Sequence, residues 1–195
     1  MTHRRSITLL MTAVFLLATA ATATADPPAA APDPRAVIEA QYKKIEDIIR
    51  TTPDEEAVRE GIRRAMDDFV DFEMFAQLAG SHFWDQMSAK ERTEYLEVFK
   101  RLIQRTYTKR FKANTAFKVT LAETATFNSA RTKAEVPSVI TSGDVSADVV
   151  YRLHVPAGQT DWRAYDVVID DLSIMRNYRT SFIKMWKKGG FRHLM

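Results

Sequence analysis

The sequence predicts an α+β domain: helices first, then an antiparallel meander, then one closing helix. Two observations carry this. Apolar residues recur at three-to-four spacing between residues 35 and 112, and after Asn114 the period falls to two until a helical pattern resumes at Ile174. The links between successive strand candidates are also short, which joins neighbours antiparallel rather than through crossovers.

Residues 1–25 are expected to be a secretory signal peptide. His3, Arg4 and Arg5 give a positive start, residues 7–21 an apolar stretch, and Ala23-Thr24-Ala25 an A-x-A cleavage site before Asp26. An uncleaved anchor is the competing reading, since residues 6–25 carry no charge. Five threonines dilute that run, however, and a span wants about 20 predominantly apolar residues. Residues 26–34 (DPPAAAPDP) read as an extended Pro/Ala spacer, and residues 35–195 as a single domain.

In the first helix Val37, Ile38, Tyr42, Ile45, Ile48 and Ile49 form the apolar stripe, and Thr51-Thr52-Pro53-Asp54 ends it. Asp54 or Thr52 can cap the next helix, with Ala57, Val58, Ile62, Ala65, Met66 and Phe69 on one face. A short third helix over residues 72–78 closes at Gly80. Ser88 and Glu91 have the spacing of a capping box, opening a long helix over residues 89–112. Tyr95, Phe99, Leu102, Ile103, Thr106, Tyr107 and Phe111 share one broad face of it; Lys90, Arg92, Glu94, Glu97, Arg101, Arg105 and Lys109 charge the other.

Four strands follow, at residues 117–125, 132–141, 147–155 and 162–169. Ser142-Gly143-Asp144 and Ala157-Gly158-Gln159 supply the turns between the last three. A final helix over residues 174–186 is expected to stop at Gly189-Gly190.

Charge and composition exclude several functions. Removing the signal takes two of 28 Lys and Arg and none of 25 acids, so 26 against 25 leaves +1. A near-neutral chain with interspersed signs lacks the footprint of a nucleic-acid binder. With no cysteine the exported domain has no disulfide, and stability must come from packing.

Enzyme signatures are sparse: there is no G-x-S-x-G elbow, no H-E-x-x-H and no Gly-rich phosphate loop. His82 with Asp85 is one acid–base candidate and His154 another. His154 alternates with Val149, Tyr151 and Leu153 and so points to the opposite strand face. Asp67, Asp68, Asp71 and Glu73 cluster near helix ends, where capping and the macrodipole collect acids. Their spacing matches no calcium loop, and no metal or cofactor is expected.

The run WRAYDVVIDDLSIMRNYR, residues 162–179, resembles the C-terminal signature of the MlaC, or toluene-tolerance, family of periplasmic phospholipid carriers. Trp162, Tyr165, Asp166, Asp170, Ser173, Asn177, Tyr178, Arg179 and Phe182 match; Asp171 stands where the family usually has Gly. Asp is among the few residues that tolerate a positive-φ turn. The segment DFEMFAQLAG at residues 71–80 resembles the family's DFERMAQLALG, and Trp84, residues 88–92, Phe99 and Thr106-Tyr107 match its next helix.

The resemblance implies helices packed on a curved antiparallel sheet of about four strands, with an apolar cavity between them for acyl chains. Its lining is expected from Phe75, Leu78, Phe99, Leu102, Ile103 and Tyr107 on the helices and Val136, Val149, Tyr151, Leu153, Tyr165 and Val167 on the strands. Asp166 and Arg179 are expected to pair and latch the last strand to the closing helix; a headgroup contact is the alternative. The implied partners are an inner-membrane MCE-type ABC transport complex and an outer-membrane lipoprotein–porin complex. The implied role is maintenance of outer-membrane lipid asymmetry without catalysis. Two other readings stay open: a small periplasmic enzyme on an apolar substrate, and a carrier of hopanoid-like lipid.

Overall fold

The computed structural model describes residues 31–195. The expected signal peptide and residues 26–30 of the spacer lie outside the described residues. No described helix is long and apolar enough to cross a membrane.

Each of the main helices begins at an oxygen-bearing side chain that takes up an orphan backbone N–H. Asp33 accepts from Arg35 to start α1 (Pro34–Thr51), Asp54 from Ala57 to start α2 (Glu55–Phe69), and Asp71 from Met74 to start α3 (Phe72–Ala79). A short 3₁₀ turn (Trp84–Gln86) leads to α4 (Ala89–Thr108), opened by the expected box. Glu91 N–H donates to Ser88 Oγ at 3.3 Å, and Ser88 N–H donates to Glu91 Oε2 at 2.8 Å. Ser173 caps α5 (Ile174–Leu194). Helices α1 and α2 approach closely at Gly61, where an added Cβ would stand 2.8 Å from Ile48 Cγ2.

The sheet has six strands rather than four. β1 (Lys118–Leu121) and β2 (Thr126–Phe127) both pair with β3 (Lys133–Ser142), so the expected strand at 117–125 ends at Leu121 and β2 lies beyond it. Beyond β3 the order runs β4 (Val145–His154), β5 (Arg163–Ile169) and β6 (Leu172–Ser173), every ladder antiparallel. The β3–β4 hairpin turns on Gly143 (φ 57°) and Asp144, and the β5–β6 hairpin on Asp170 (φ 47°) and Asp171 (φ 65°). Two successive positive-φ residues match the right-handed strand twist and make a tight primed turn. Asp171 therefore occupies a position that glycine would fill without strain.

Two helix ends also differ from expectation. α4 stops at Thr108, because the segment after it turns back toward α1, Asn114 N–H donating to Ile49 O at 3.3 Å. α5 resumes beyond Gly189-Gly190, which kink it, since Phe191 and Leu194 pack against the helical core.

Three apolar clusters hold the layers together. One joins α3, α4 and α5 around Phe75, Phe83, Tyr95, Phe99 and Phe182. A second seats Ile38 of α1 on Ala134, Val136, Leu153, Trp162 and Ala164 of the sheet. The third packs Ile49 of α1 on Val58 and Ile62 of α2, with Phe111, Ala113 and Phe117 over them.

Candidate functional site

Between α1, α2 and α4 on one side and β3–β5 on the other, the clusters leave a cavity of about 490 Å³. Small-molecule sites fall in the range of about 300–1,000 Å³. Helix α1 contributes Ile38, Tyr42, Ile45 and Ile49; α2 contributes Ile62, Ala65, Met66 and Phe69; α4 and the turn after it contribute Ile103, Tyr107 and Phe111. The sheet supplies Ile140, Ala147, Val149, Tyr151, Val167 and Ile169. These strand residues fall together because Val149 pairs with Ile169, Tyr151 with Val167 and Ala147 with Ile140.

The lining grades from buried to exposed. Ile38, Ile62, Ala65, Phe75 and Ile103 are buried, whereas Arg110, Lys112, Thr115 and Val145 are exposed. The mouth therefore lies between the turn after α4 and the tip of the β3–β4 hairpin. Ser142 Oγ fastens these two pieces, donating to Ala116 O at 2.9 Å.

Polar groups inside are few and satisfied. Tyr42 and Tyr151 hydrogen-bond to each other through their hydroxyls, while Ser138 Oγ donates to Val149 O at 3.1 Å. Burial pushes both phenols up, so they stay neutral at physiological pH. Asp166 is 1 % exposed and reaches the wall. Its Oδ2 accepts from Ser173 Oγ at 2.6 Å and Arg152 Nη1 at 3.1 Å, and its Oδ1 from Met175 N–H at 3.0 Å.

Of the residues expected to line the cavity, Phe75, Ile103, Tyr107, Val149, Tyr151 and Val167 do so. The others are displaced for identifiable reasons. Phe99, Leu102 and Leu78 belong to the α3–α4–α5 cluster, since Tyr178 and Phe182 of α5 pack on the first half of the α4 stripe. Phe99 meets Phe75 edge-on at 5.0 Å and Tyr178 at 6.0 Å. Val136 and Leu153 are fully buried under Ile38, beyond the cavity's end. Tyr165 is turned out by a register shift between Arg152 and Leu153. Arg152 pairs with Asp166 but Leu153 with Ala164, so Tyr165 falls in the bulge and packs near His154 and Lys133. An extra residue in one strand inverts simple alternation.

The Asp166–Arg179 pair does not form. Asp166 does tie β5 to α5, but through Ser173 and the Met175 N–H. Arg179 Nε instead donates to Leu78 O at 2.9 Å, fixing α5 to the end of α3.

The acid–base candidates lie apart from the cavity. His82 is exposed, and Asp85 faces Arg92 at 3.7 Å. His154 Nε2 lies 2.8 Å from Asp71 Oδ2, joining β4 to the start of α3. That hydrogen bond, with the Met74 N–H, holds the Asp71 carboxyl below its usual range. Two other acids of that cluster are paired structurally, Asp67 with Lys100 and Gln104 and Asp68 with Lys44, and Glu73 is exposed on α3. No group of three or more His, Cys, Asp or Glu able to hold a metal occurs among the described residues.

The stripes of α1 and α2 were visible as apolar faces, but nothing in their spacing separates a cavity wall from a packed core. Arg110, Lys112 and Thr115 had no sequence signal at all.

The fold and the site define a class: an α+β protein whose helices and open antiparallel sheet hold an apolar pocket between them. The chain belongs to the MlaC family, whose model, described as MlaC protein, matches residues 38–195. It shares the fold of a phospholipid-binding protein from Ralstonia solanacearum solved in complex with a phospholipid. The TM-score is 0.72 at 21 % identity, over 84 % of this chain and 93 % of that one. Among curated proteins none matches.

Proposed function

We propose that the protein is a periplasmic carrier that binds the acyl chains of phospholipid in the cavity between α1, α2, α4 and the sheet. It shuttles lipid between an inner-membrane MCE-type ABC complex and an outer-membrane lipoprotein–porin complex, maintaining outer-membrane lipid asymmetry. The observation that carries this reading is the 490 Å³ cavity with its apolar interior and exposed mouth, in a chain of the MlaC family. The phospholipid-bound Ralstonia protein of the same fold supports it.

The energetics fit a carrier. Two tails of about 30 methylenes, at roughly 0.8 kcal/mol each, lose about 24 kcal/mol of burial in water. A bilayer offers nearly the same burial as a protein cavity, so transfer between them is close to balanced and its direction is set by partners. We also infer that the protein is not an enzyme. Among the described residues no histidine lines the cavity, and the one lining carboxylate, Asp166, is fully engaged by Arg152, Ser173 and Met175.

The test is native mass spectrometry of protein exported to the periplasm of a Gram-negative host. The expected result is a 1:1 adduct with the mass of a phospholipid. Recovery of lipid-free protein that also fails to extract phospholipid from vesicles would defeat the proposal, and an adduct with a polycyclic lipid would change the cargo to hopanoid.

A further inference from the structure

We propose that Arg110 and Lys112 form a cationic lip that takes the phosphate of the lipid whose tails the cavity holds, an inference that rests on the carrier reading above.

The lip is built by the segment after α4. Phe111, Ala113 and Phe117 pack on Ile49, Val58 and Ile62, and Asn114, at φ 55°, bonds the end of α1. Anchoring alternate residues inward leaves Arg110, Lys112 and Thr115 exposed while they still line the mouth. Arg110 is further held by its guanidinium lying 5.5 Å from the ring centre of Tyr107, itself a wall residue. A cation stacked on an aromatic is restrained at that spot. The Thr115 hydroxyl and Gln41 amide add neutral donors to the same lining.

The charges there lack the partners that other cations have. On α2, Arg59, Arg63 and Arg64 are matched by Glu55, Glu56 and Glu60. Residues 98–122 instead carry Lys100, Arg101, Arg105, Lys109, Arg110, Lys112 and Lys118 with no acid. Among the described residues only Lys100 of these forms an ion pair, with Asp67. A same-sign concentration at a low-dielectric opening focuses potential on that opening. The opposite lip carries exposed Val145 beside Asp144, so an anion has one favourable side.

Chemistry forces the match between lip and phosphate. An ionised phosphate cannot follow the tails into an apolar interior without a prohibitive desolvation cost, so it must stop at the mouth. Arg and Lys are the side chains suited to meet it there.

The test compares affinity for phosphatidylglycerol and for diacylglycerol with the same acyl chains, presented in neutral vesicles. The wild-type protein is expected to prefer phosphatidylglycerol. In the double variant R110Q/K112Q that preference falls roughly tenfold, the size of two partly exposed charge contacts. R110K/K112R retains it within about twofold, and so does the distant control K184Q/K188Q on α5. Thermal unfolding confirms that each variant is folded. An unchanged preference in R110Q/K112Q, with diacylglycerol still bound, overturns the lip and leaves the carrier reading standing. Wild-type protein that binds neither lipid overturns both. Displacement of phosphatidylglycerol by inorganic phosphate, but not by chloride of equal ionic strength, assigns the lip to free phosphate and overturns the lipid assignment.

Discussion

Filling the cavity from the sheet side with Ala147→Trp tests where the tails go. Ala147 lies on β4 opposite Ile140, both line the cavity, and a strand accepts an aromatic residue well. The indole adds roughly nine ring atoms, each displacing about one methylene of a tail, an upper limit near 7 kcal/mol of lost burial. A flexible tail bends around the obstacle and recovers about half. A net loss of about 3 kcal/mol, near a hundredfold in affinity, is therefore expected. The fold responds differently, because the ring enters open space and escapes the ~1–3 kcal/mol overpacking penalty of a filled core. The assay is transfer of a fluorescent phospholipid from vesicles, with thermal unfolding in parallel. Leu102→Trp is the matched control: it crowds the α3–α4–α5 cluster, costs stability and leaves transfer intact. Wild-type transfer by a folded Ala147→Trp protein would refute the placement of the tails. A melting temperature lowered by several degrees would show that Ala147 packs against a filled interior.

Three further predictions concern polar groups that tie the elements together. Tyr42→Phe and Tyr151→Phe each strand a buried hydroxyl and are expected to cost about 1 kcal/mol in chemical denaturation, while the double variant loses less than the sum. Asp71 has a carboxyl held below its usual value, chiefly by the His154 hydrogen bond, so it stabilises the fold above the ordinary carboxylate range near pH 4 and that contribution disappears as pH falls through the lowered value. In Asp71→Asn the helix cap survives, and the drop in melting temperature between about pH 4 and pH 2 becomes shallower. Asp166→Asn strips the charge from a buried carboxylate that Arg152, Ser173 and the Met175 N–H all engage, leaving Arg152 with Glu135 alone, and is expected to cost about 3 kcal/mol in chemical denaturation, against about 1 kcal/mol for Arg179→Lys; equal costs would restore the pair that the structure rejects.

Caps and turns could be read from the sequence because they depend on residues a few positions apart. Ser88 with Glu91, Asp54 and the positive-φ tolerance of Asp171 are all local. The cavity depends on distant choices. Phe99 and Ile103 lie on the same apolar stripe, yet one meets Phe75, Tyr178 and Phe182 and the other faces the void. Only the return of α5 over the first half of α4 separates them. Tyr165 was misplaced for a local reason that alternation hides: one bulge at Arg152/Leu153 reverses its face and leaves Val167 correctly inward. Arg110 and Lys112 fall in the last turn of the helix expected over residues 89–112, and they reach the mouth only because the chain turns at Thr108 and is pinned to Ile49.

The size of the cavity also bears on why lipid occupancy and stability belong together. At about 24 cal/mol per Å³, creating an apolar void of 490 Å³ would cost about 12 kcal/mol, comparable to the whole stability of an ordinary domain. Water entering at the exposed mouth lowers that figure, since the outer volume is not a vacuum. The inner part, walled by Ile38, Ile62, Ala65 and Ile103, offers little to hold water, since the polar groups of the lining, Tyr42, Tyr151 and Asp166, are engaged with protein partners. The clusters at either end hold the layers apart: Ile38 seated on Ala134 and Val136, and Ile49 with Val58 beneath Phe111. Collapse would require breaking one of them. A lipid tail relieves the void without that loss, so delipidated protein is expected to melt well below the loaded form, and adding phosphatidylglycerol vesicles is expected to restore the difference. Identical melting of the two forms would mean that the cavity closes when empty. The open separation between α1–α2 and the sheet would then be a property of the complex rather than of the chain.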